Sequence, residues 1–298
     1  MECYITAGVT HDGFGARVQR CASVMCLVYY LQEKYELPIE YLHTPLNYES
    51  RDVFDVDYQH AAKERITSGY PYDDISHEGY MIRAKKWEDR LLFNSKTIKD
   101  IEVKDFTVVE EYQQMIEDIE KGNTDKKLYS IKYPHLYYHT ESLDLNNFSK
   151  YRDKILNCFN FERPSPGLSQ IALHIRRQDI DETHRRYIKD DYYLEILNGL
   201  KQSSKVSSAV AIYTQRDNFD ASKYRRGYDI RYDDREEDYD TFIKLLSADV
   251  LVVGNSSFSY VAALLNPNTV VYHYAPDTYK ALDSWIDKEK YLDYLNSK

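Results

Sequence analysis

From residue 170 onward, short apolar runs alternate with stretches of helical spacing. Runs of strand character occupy Ile171–Ile175, Ala209–Tyr213, Tyr228–Tyr232, Val250–Val253 and Thr269–Tyr272. Between them, Asp190–Leu200, a short stretch at Asn218–Tyr224, Asp238–Leu246 and Ser257–Leu265 read as helices. Most of the strand runs are almost continuously apolar, as strands covered on both faces must be; Tyr228–Tyr232 is the polar exception. Strands and helices alternating at this spacing predict βαβ units around a parallel sheet.

The first half is less regular. Ile5–Val9 predicts a strand, and Asp12-Gly13-Phe14-Gly15 a turn whose glycines permit close backbone approach. A helix is predicted from about Ala16 to Lys34, because Val18, Cys21, Ala22, Met25, Val28 and Leu31 form one apolar stripe. Residues 50–150 are weakly patterned, with a helix predicted over Thr107–Lys121. Arg163-Pro164-Ser165-Pro166-Gly167, inside the segment Asn160–Gln170, can continue neither a helix nor a central strand. It divides the chain into an N-terminal α/β domain, 1–160, and a C-terminal domain, 161–298.

Two domains also suit a length of 298 residues, and 43% hydrophobic with 30% charged residues is ordinary for a soluble globular chain. A formal net charge of −10 argues against a nucleic-acid surface or an anionic membrane surface, which need a basic field. The four cysteines lack CxxC or metal-ligand spacing, and no run reaches the length of a membrane span or follows a basic leader. Free thiols and a cytoplasmic location are the expectation. Thirty tyrosines suit half-buried, sugar-compatible faces but serve equally as core.

In an open parallel sheet, ligands bind beyond the carboxyl ends of the strands. The residues there are Arg176-Arg177-Gln178-Asp179, Thr214-Gln215, Asp233-Asp234 and Gly254-Asn255-Ser256-Ser257. Arginine's planar fork matches phosphate oxygens two at a time. Gly254-Asn255-Ser256-Ser257-Phe258-Ser259 opens a helix, where backbone N–H groups, hydroxyls and the helix dipole favour an anion. Separately, each reads as a surface ion pair or an ordinary serine cap; together they point to a diphosphate. A P-loop nucleotidase and a dinucleotide-binding dehydrogenase are disfavoured, since neither GxxxxGK(S/T) nor GxGxxG occurs.

His174-Ile175-Arg176-Arg177-Gln178-Asp179 resembles the H-(I/V)-R-R-G-D signature of the α1,2-, α1,6- and protein O-fucosyltransferase superfamily. Asn255-Ser256-Ser257-Phe258-Ser259-Tyr260 is similar to the N-S-S-F-S-W motif of its α1,2 branch. Ile212-Tyr213-Thr214-Gln215 resembles the strand and polar turn between them, and Asp12–Arg17 the N-terminal G-x-(F/L)-G-N-Q loop. The resemblance implies a GT-B α/β fold: two Rossmann-like domains facing a cleft, acceptor side first and GDP-fucose side second. It implies inverting transfer to a glycan hydroxyl without metal or other cofactor. Arg176 would hold the β-phosphate, His174 would lie near guanine or ribose, Ser257 would touch phosphate, and Asp240-Thr241 would supply the acidic guanine contact. Arg177, Gly13, Gly15, Thr214, Gln215, Asn255, Ser256 and Phe258 complete the expected nucleotide-sugar contacts. Gln178, Ala16-Arg17 and Tyr260 depart from the family's glycine, Asn-Gln and tryptophan, and bear on acceptor class and donor sugar.

Displacement at the anomeric carbon expels GDP, so preorganised arginine and N–H dipoles favour the transition state. Asp12 is the first candidate for the base that accepts the acceptor proton, followed by Asp179 and Glu182. Asp179 is equally a structural partner for an arginine. Other readings are a metal-dependent transferase using Asp55-Val56-Asp57, a transferase of the same scaffold with another nucleotide sugar, and a non-catalytic glycan- or nucleotide-binding module.

Overall fold

A computed structural model describes residues 3–7, 13–36, 39–46, 77–91, 93–98, 105–109, 112–122, 127–131, 145–160, 170–177, 180–203, 209–224, 228–232, 238–273 and 279–297. The chain forms two compact units, Met1–Phe161 and Glu162–Lys298. Each is α/β with a parallel sheet, and in the second unit this is what the alternation of apolar runs predicts. Among the described residues, no helix is long and apolar enough to cross a membrane.

In the first unit, the strands are β1 (Cys3–Ala7), β2 (Ile39–Tyr41), β3 (Asp105–Val109) and β4 (Lys127–Ile131), in the order β2-β1-β4-β3. Helix α1 (Phe14–Tyr35) follows β1 and starts before the predicted Ala16, so Gly15 lies inside the helix rather than in the turn. The expected single stripe is also corrected. Every residue from Phe14 to Val28 is buried, among them Arg17, Gln19, Arg20 and Ser23. The predicted helix over Thr107–Lys121 resolves into β3 followed by α3 (Tyr112–Glu120), while α2 (His77–Leu91) and α4 (Leu145–Leu156) come from weakly patterned sequence. The β-branched pair Val108-Val109 favours a pleated surface over a helix.

One buried polar group of this unit had no sequence signal. His43 is fully buried, and its Nε2 lies 2.9 Å from Glu88 Oε1. Burial disfavours its charge, but bonding to Cys21 and Glu88 outweighs that and raises its pKa to about 9.

The second unit carries β5 (Gln170–Ile175), β6 (Ala209–Thr214), β7 (Asp229–Tyr232), β8 (Val250–Val253) and β9 (Thr269–Tyr272), all parallel. Their order is β7-β6-β5-β8-β9. The chain builds outward from β5 through β6 to β7, then returns to the other side of β5 to lay down β8 and β9. The β5–β8 boundary is therefore the point where strand order reverses, the place where such sheets bind ligands. The polar run at Tyr228–Tyr232 is explained by position: β7 is the edge strand, with Asp229 and Arg231 exposed.

Helices α5 (Asp190–Gln202) and α8 (Lys288–Asn296) cover one face. There Ile171, Leu173 and Ile175 of β5 pack with Ile196, Leu197, Leu200, Tyr291 and Leu295. Helices α6 (Asp238–Leu246) and α7 (Ser257–Leu265) pack against each other, against β5 and against β8 on the other. A Cβ at Gly254 would sit 2.4 Å from the His174 carbonyl oxygen, so only glycine lets the end of β8 approach β5 this closely.

Candidate nucleotide-sugar site at the strand-order reversal

Beyond β5 stand Arg176 and Arg177; beyond β8 stand Gly254, Asn255, Ser256 and Ser257. The topology brings the two motifs together. Arg176 Nη1 donates to Ser256 Oγ at 3.3 Å, joining segments 80 residues apart.

The serine segment is a helix cap with its parts assigned. Ser256 is the N-cap of α7, and its Oγ accepts from Phe258 N–H at 3.3 Å. Ser256 N–H donates back to the Gly254 carbonyl at 2.9 Å, and Ser259 Oγ donates to the same carbonyl at 3.1 Å. Asn255, Ser256 and Ser259 are buried, whereas Ser257 is partly exposed. Of the three serines in this segment, Ser257 is thus the one with solvent exposure. The first turn of α7 contains no acid, so the positive end of its dipole is not neutralised from within.

His174 lies on the α6–α7 side of β5, its ring 5.6 Å from that of Phe258. Phe258 in turn meets Phe242 of α6 at 5.9 Å. His174 is 1% exposed, and among the described residues neither ring nitrogen has a hydrogen-bond partner. Burial, then the neighbouring Arg176 charge, lowers its pKa to about 3, so the ring is neutral at physiological pH. Leaving such a polar group unsatisfied costs about 1–3 kcal/mol.

A pH dependence follows. The unfolded chain takes up a proton at His174 below about pH 6.5 and the folded chain does not, so stability falls as pH drops from there towards 3. The expected slope from this residue is up to about 1.4 kcal/mol per pH unit. Urea titrations at pH 5 and pH 7 should show a larger acid loss in the native protein than in His174→Gln; equal losses would mean that the imidazole is solvated.

Arg177, expected among the ligand contacts, takes the opposite face and is engaged within the protein. It is 1% exposed. Its Nη2 lies 2.6 Å from Asp190 Oδ1, and its guanidinium lies 4.3 Å from the centre of the Tyr187 ring. Gln215 and Thr214 likewise serve the protein. Gln215 Oε1 accepts from Arg177 N–H at 2.9 Å, and Thr214, fully buried, donates to the Gln215 carbonyl at 3.4 Å. Asp240 and Thr241 lie near the start of α6, Asp240 partly exposed and Thr241 buried. Tyr260 is a core residue: it stacks on Tyr279 at 4.5 Å and meets Trp285 at 5.6 Å.

Gly13 precedes α1 in the first unit, its carbonyl accepting from Arg17 N–H at 3.2 Å. Asp12, Gln178, Asp179, Asp233, Asp234 and Asp55-Val56-Asp57 lie outside the described residues. Glu182 sits in an exposed turn beside Asp181, whose Oδ1 accepts from Thr183 N–H and Oγ1. Asp190 was missed from the sequence. Its only signal is an acidic residue opening a predicted helix, which ordinarily marks no more than a favourable helix start.

No protein-family profile matches the chain, and no curated protein matches it. Among solved structures it is similar to E. coli heptosyltransferase WaaC with ADP, at 9% identity and a TM-score of 0.45, over 96% of this chain and 92% of that one. It is also similar to POFUT1 in complex with GDP, at 11% identity and a TM-score of 0.42, over 96% of this chain and 98% of that one. The same values hold for POFUT1 in complex with GDP-fucose. Likeness at this level assigns neither family nor activity, and the functional reading rests on the residues at the sheet edge.

Proposed function

We propose that the second unit binds a nucleotide sugar at the β5–β8 boundary, and that the protein is an inverting, metal-independent glycosyltransferase of GT-B type. The donor is GDP-fucose and the acceptor a glycan hydroxyl. The observation that carries this reading is the Arg176 guanidinium bonded to the capping serine of α7 at the strand-order reversal. A cation and a helix N-terminus converge there on one point, which is the chemistry a diphosphate requires. As the glycosidic bond to GDP breaks, charge grows on the β-phosphate, and Arg176 and the α7 N–H groups stabilise it in place. The motif resemblance, rather than the geometry, selects guanine and fucose.

Thermal shift and turnover test the reading together. GDP and GDP-fucose should raise the melting temperature and UDP should not; at about 100 times its Kd a ligand stabilises by about 2.7 kcal/mol. GDP release from GDP-fucose in the presence of glycan acceptors should persist in excess EDTA. A shift with UDP-sugars alone would overturn the donor, and loss of activity on chelation, restored by manganese, would overturn the metal-independent mechanism. Binding without any turnover would leave a non-catalytic nucleotide-binding module.

A further inference from the structure

Arg176 can act on a phosphate only if its backbone is aimed, and the peptide group that joins it to Arg177 is held at both polar atoms. Its carbonyl, that of Arg176, accepts from Arg177 Nη1 at 2.9 Å. Its N–H, that of Arg177, donates to Gln215 Oε1 at 2.9 Å. Holding this plane holds the Arg176 Cα, the point from which its side chain leaves the chain. The clamp works only while the Arg177 guanidinium stays in place, and there it is held by Asp190. Asp190 Oδ1 accepts from Arg177 Nη2 at 2.6 Å and from Tyr224 Oη at 2.7 Å, and Oδ2 from Lys223 Nζ at 2.7 Å. Arg177 Nη2 also donates to the Ile188 carbonyl at 3.1 Å, tying the far end of the loop to the same group.

From this arrangement we propose that Asp190 is a positioning residue for Arg176. Through Arg177 it locks the peptide plane that directs the Arg176 guanidinium onto the capped end of α7. Asp190 touches no ligand in this account; it acts through Arg177, with Gln215 holding the other side of the plane. The consequence for GDP rests on the nucleotide-sugar reading above, whereas the consequence for Arg176 geometry does not.

Asp190→Ala alone leaves the buried Arg177 cation without its carboxylate and confounds folding with positioning. The test uses Arg177→Met/Asp190→Leu, which replaces the ion pair by apolar side chains of similar size, a change that buried pairs commonly tolerate. Gln215→Met, which creates no orphan charge, is the second variant. Melting temperature, Kd for GDP by calorimetry, and a crystal structure of the double variant are measured. With melting temperatures retained, both variants should bind GDP more weakly by about tenfold or more, the loss expected when one charge-assisted contact is misplaced. In the crystal the Arg176 guanidinium should have left Ser256 Oγ. A purely structural role predicts unchanged GDP affinity once folding is restored, and that result overturns the inference. So does an Arg176 that stays on Ser256 in the double variant. If the native protein itself binds no GDP, the nucleotide reading falls, and the crystal structure alone decides the positioning role.

Discussion

Arg176→Ala is expected to lower turnover by roughly 10²-fold or more, since charge-stabilising contacts of this kind contribute roughly 3–4 kcal/mol in the transition state. The side chain is only partly buried and its bond to Ser256 Oγ is long at 3.3 Å, so the melting temperature should hardly move. Arg176→Lys should recover little activity, because a point charge on a flexible stem does not reproduce two parallel N–H donors. The loss should fall on kcat as well as kcat/KM, because negative charge on the β-phosphate is greatest after bond cleavage begins. Steady-state kinetics with GDP-fucose, beside thermal melts, make the comparison. Full activity in Arg176→Ala would remove Arg176 from the mechanism.

The second large effect is on stability. Asp190→Ala should destabilise the second unit by about 3–5 kcal/mol, the range for removing one partner of a buried ion pair. Arg177 is 1% exposed, so its charge finds no water when the carboxylate goes. Burial by itself opposes the Asp190 charge, but the hydrogen bonds from Lys223, Tyr224 and Arg177 outweigh it and hold the carboxyl below its ordinary pKa. Its contribution is therefore complete above about pH 4 and is lost as acid protonates the folded form. Lys223→Ala is the control: the Lys223 side chain is 45% exposed, and such half-solvated pairs contribute at most about 1 kcal/mol. Urea denaturation of both variants checks this; an Asp190→Ala loss no larger than that of Lys223→Ala would show that Arg177 finds another partner.

The sequence alone determined the five strands of the second unit and its helices α5, α6 and α7; it did not predict α8, and the helix read over Asn218–Tyr224 is a 3-10 turn at Ala221–Lys223. Ile171–Ile175, Val250–Val253 and Thr269–Tyr272 are apolar along their length because both faces of the sheet are covered, so the pattern survives in one dimension. It also placed both motifs at carboxyl ends, since a strand's direction is that of the chain. In the first unit the same reading worked at β1 and failed around Thr107, where a five-residue strand and a nine-residue helix lie too close for one periodicity to emerge. It also missed the burial of Arg17, Gln19 and Arg20, because polar residues on a helix read as a solvated face unless something covers them.

Only the tertiary structure decided how the site is divided. Adjacent arginines at a strand end must point to opposite faces, but what each one meets depends on what its face holds. Ser256 stands on Arg176's side, whereas Asp190, Tyr187 and the Ile188 carbonyl stand on Arg177's. Thr214 and Gln215 occupy the expected strand end, yet their polar atoms are engaged within the protein. The order β7-β6-β5-β8-β9 could not be read from the chain either, because any parallel strand can neighbour any other until the crossover helices choose a face. That choice set β8 beside β5, and with it Ser256 within reach of Arg176.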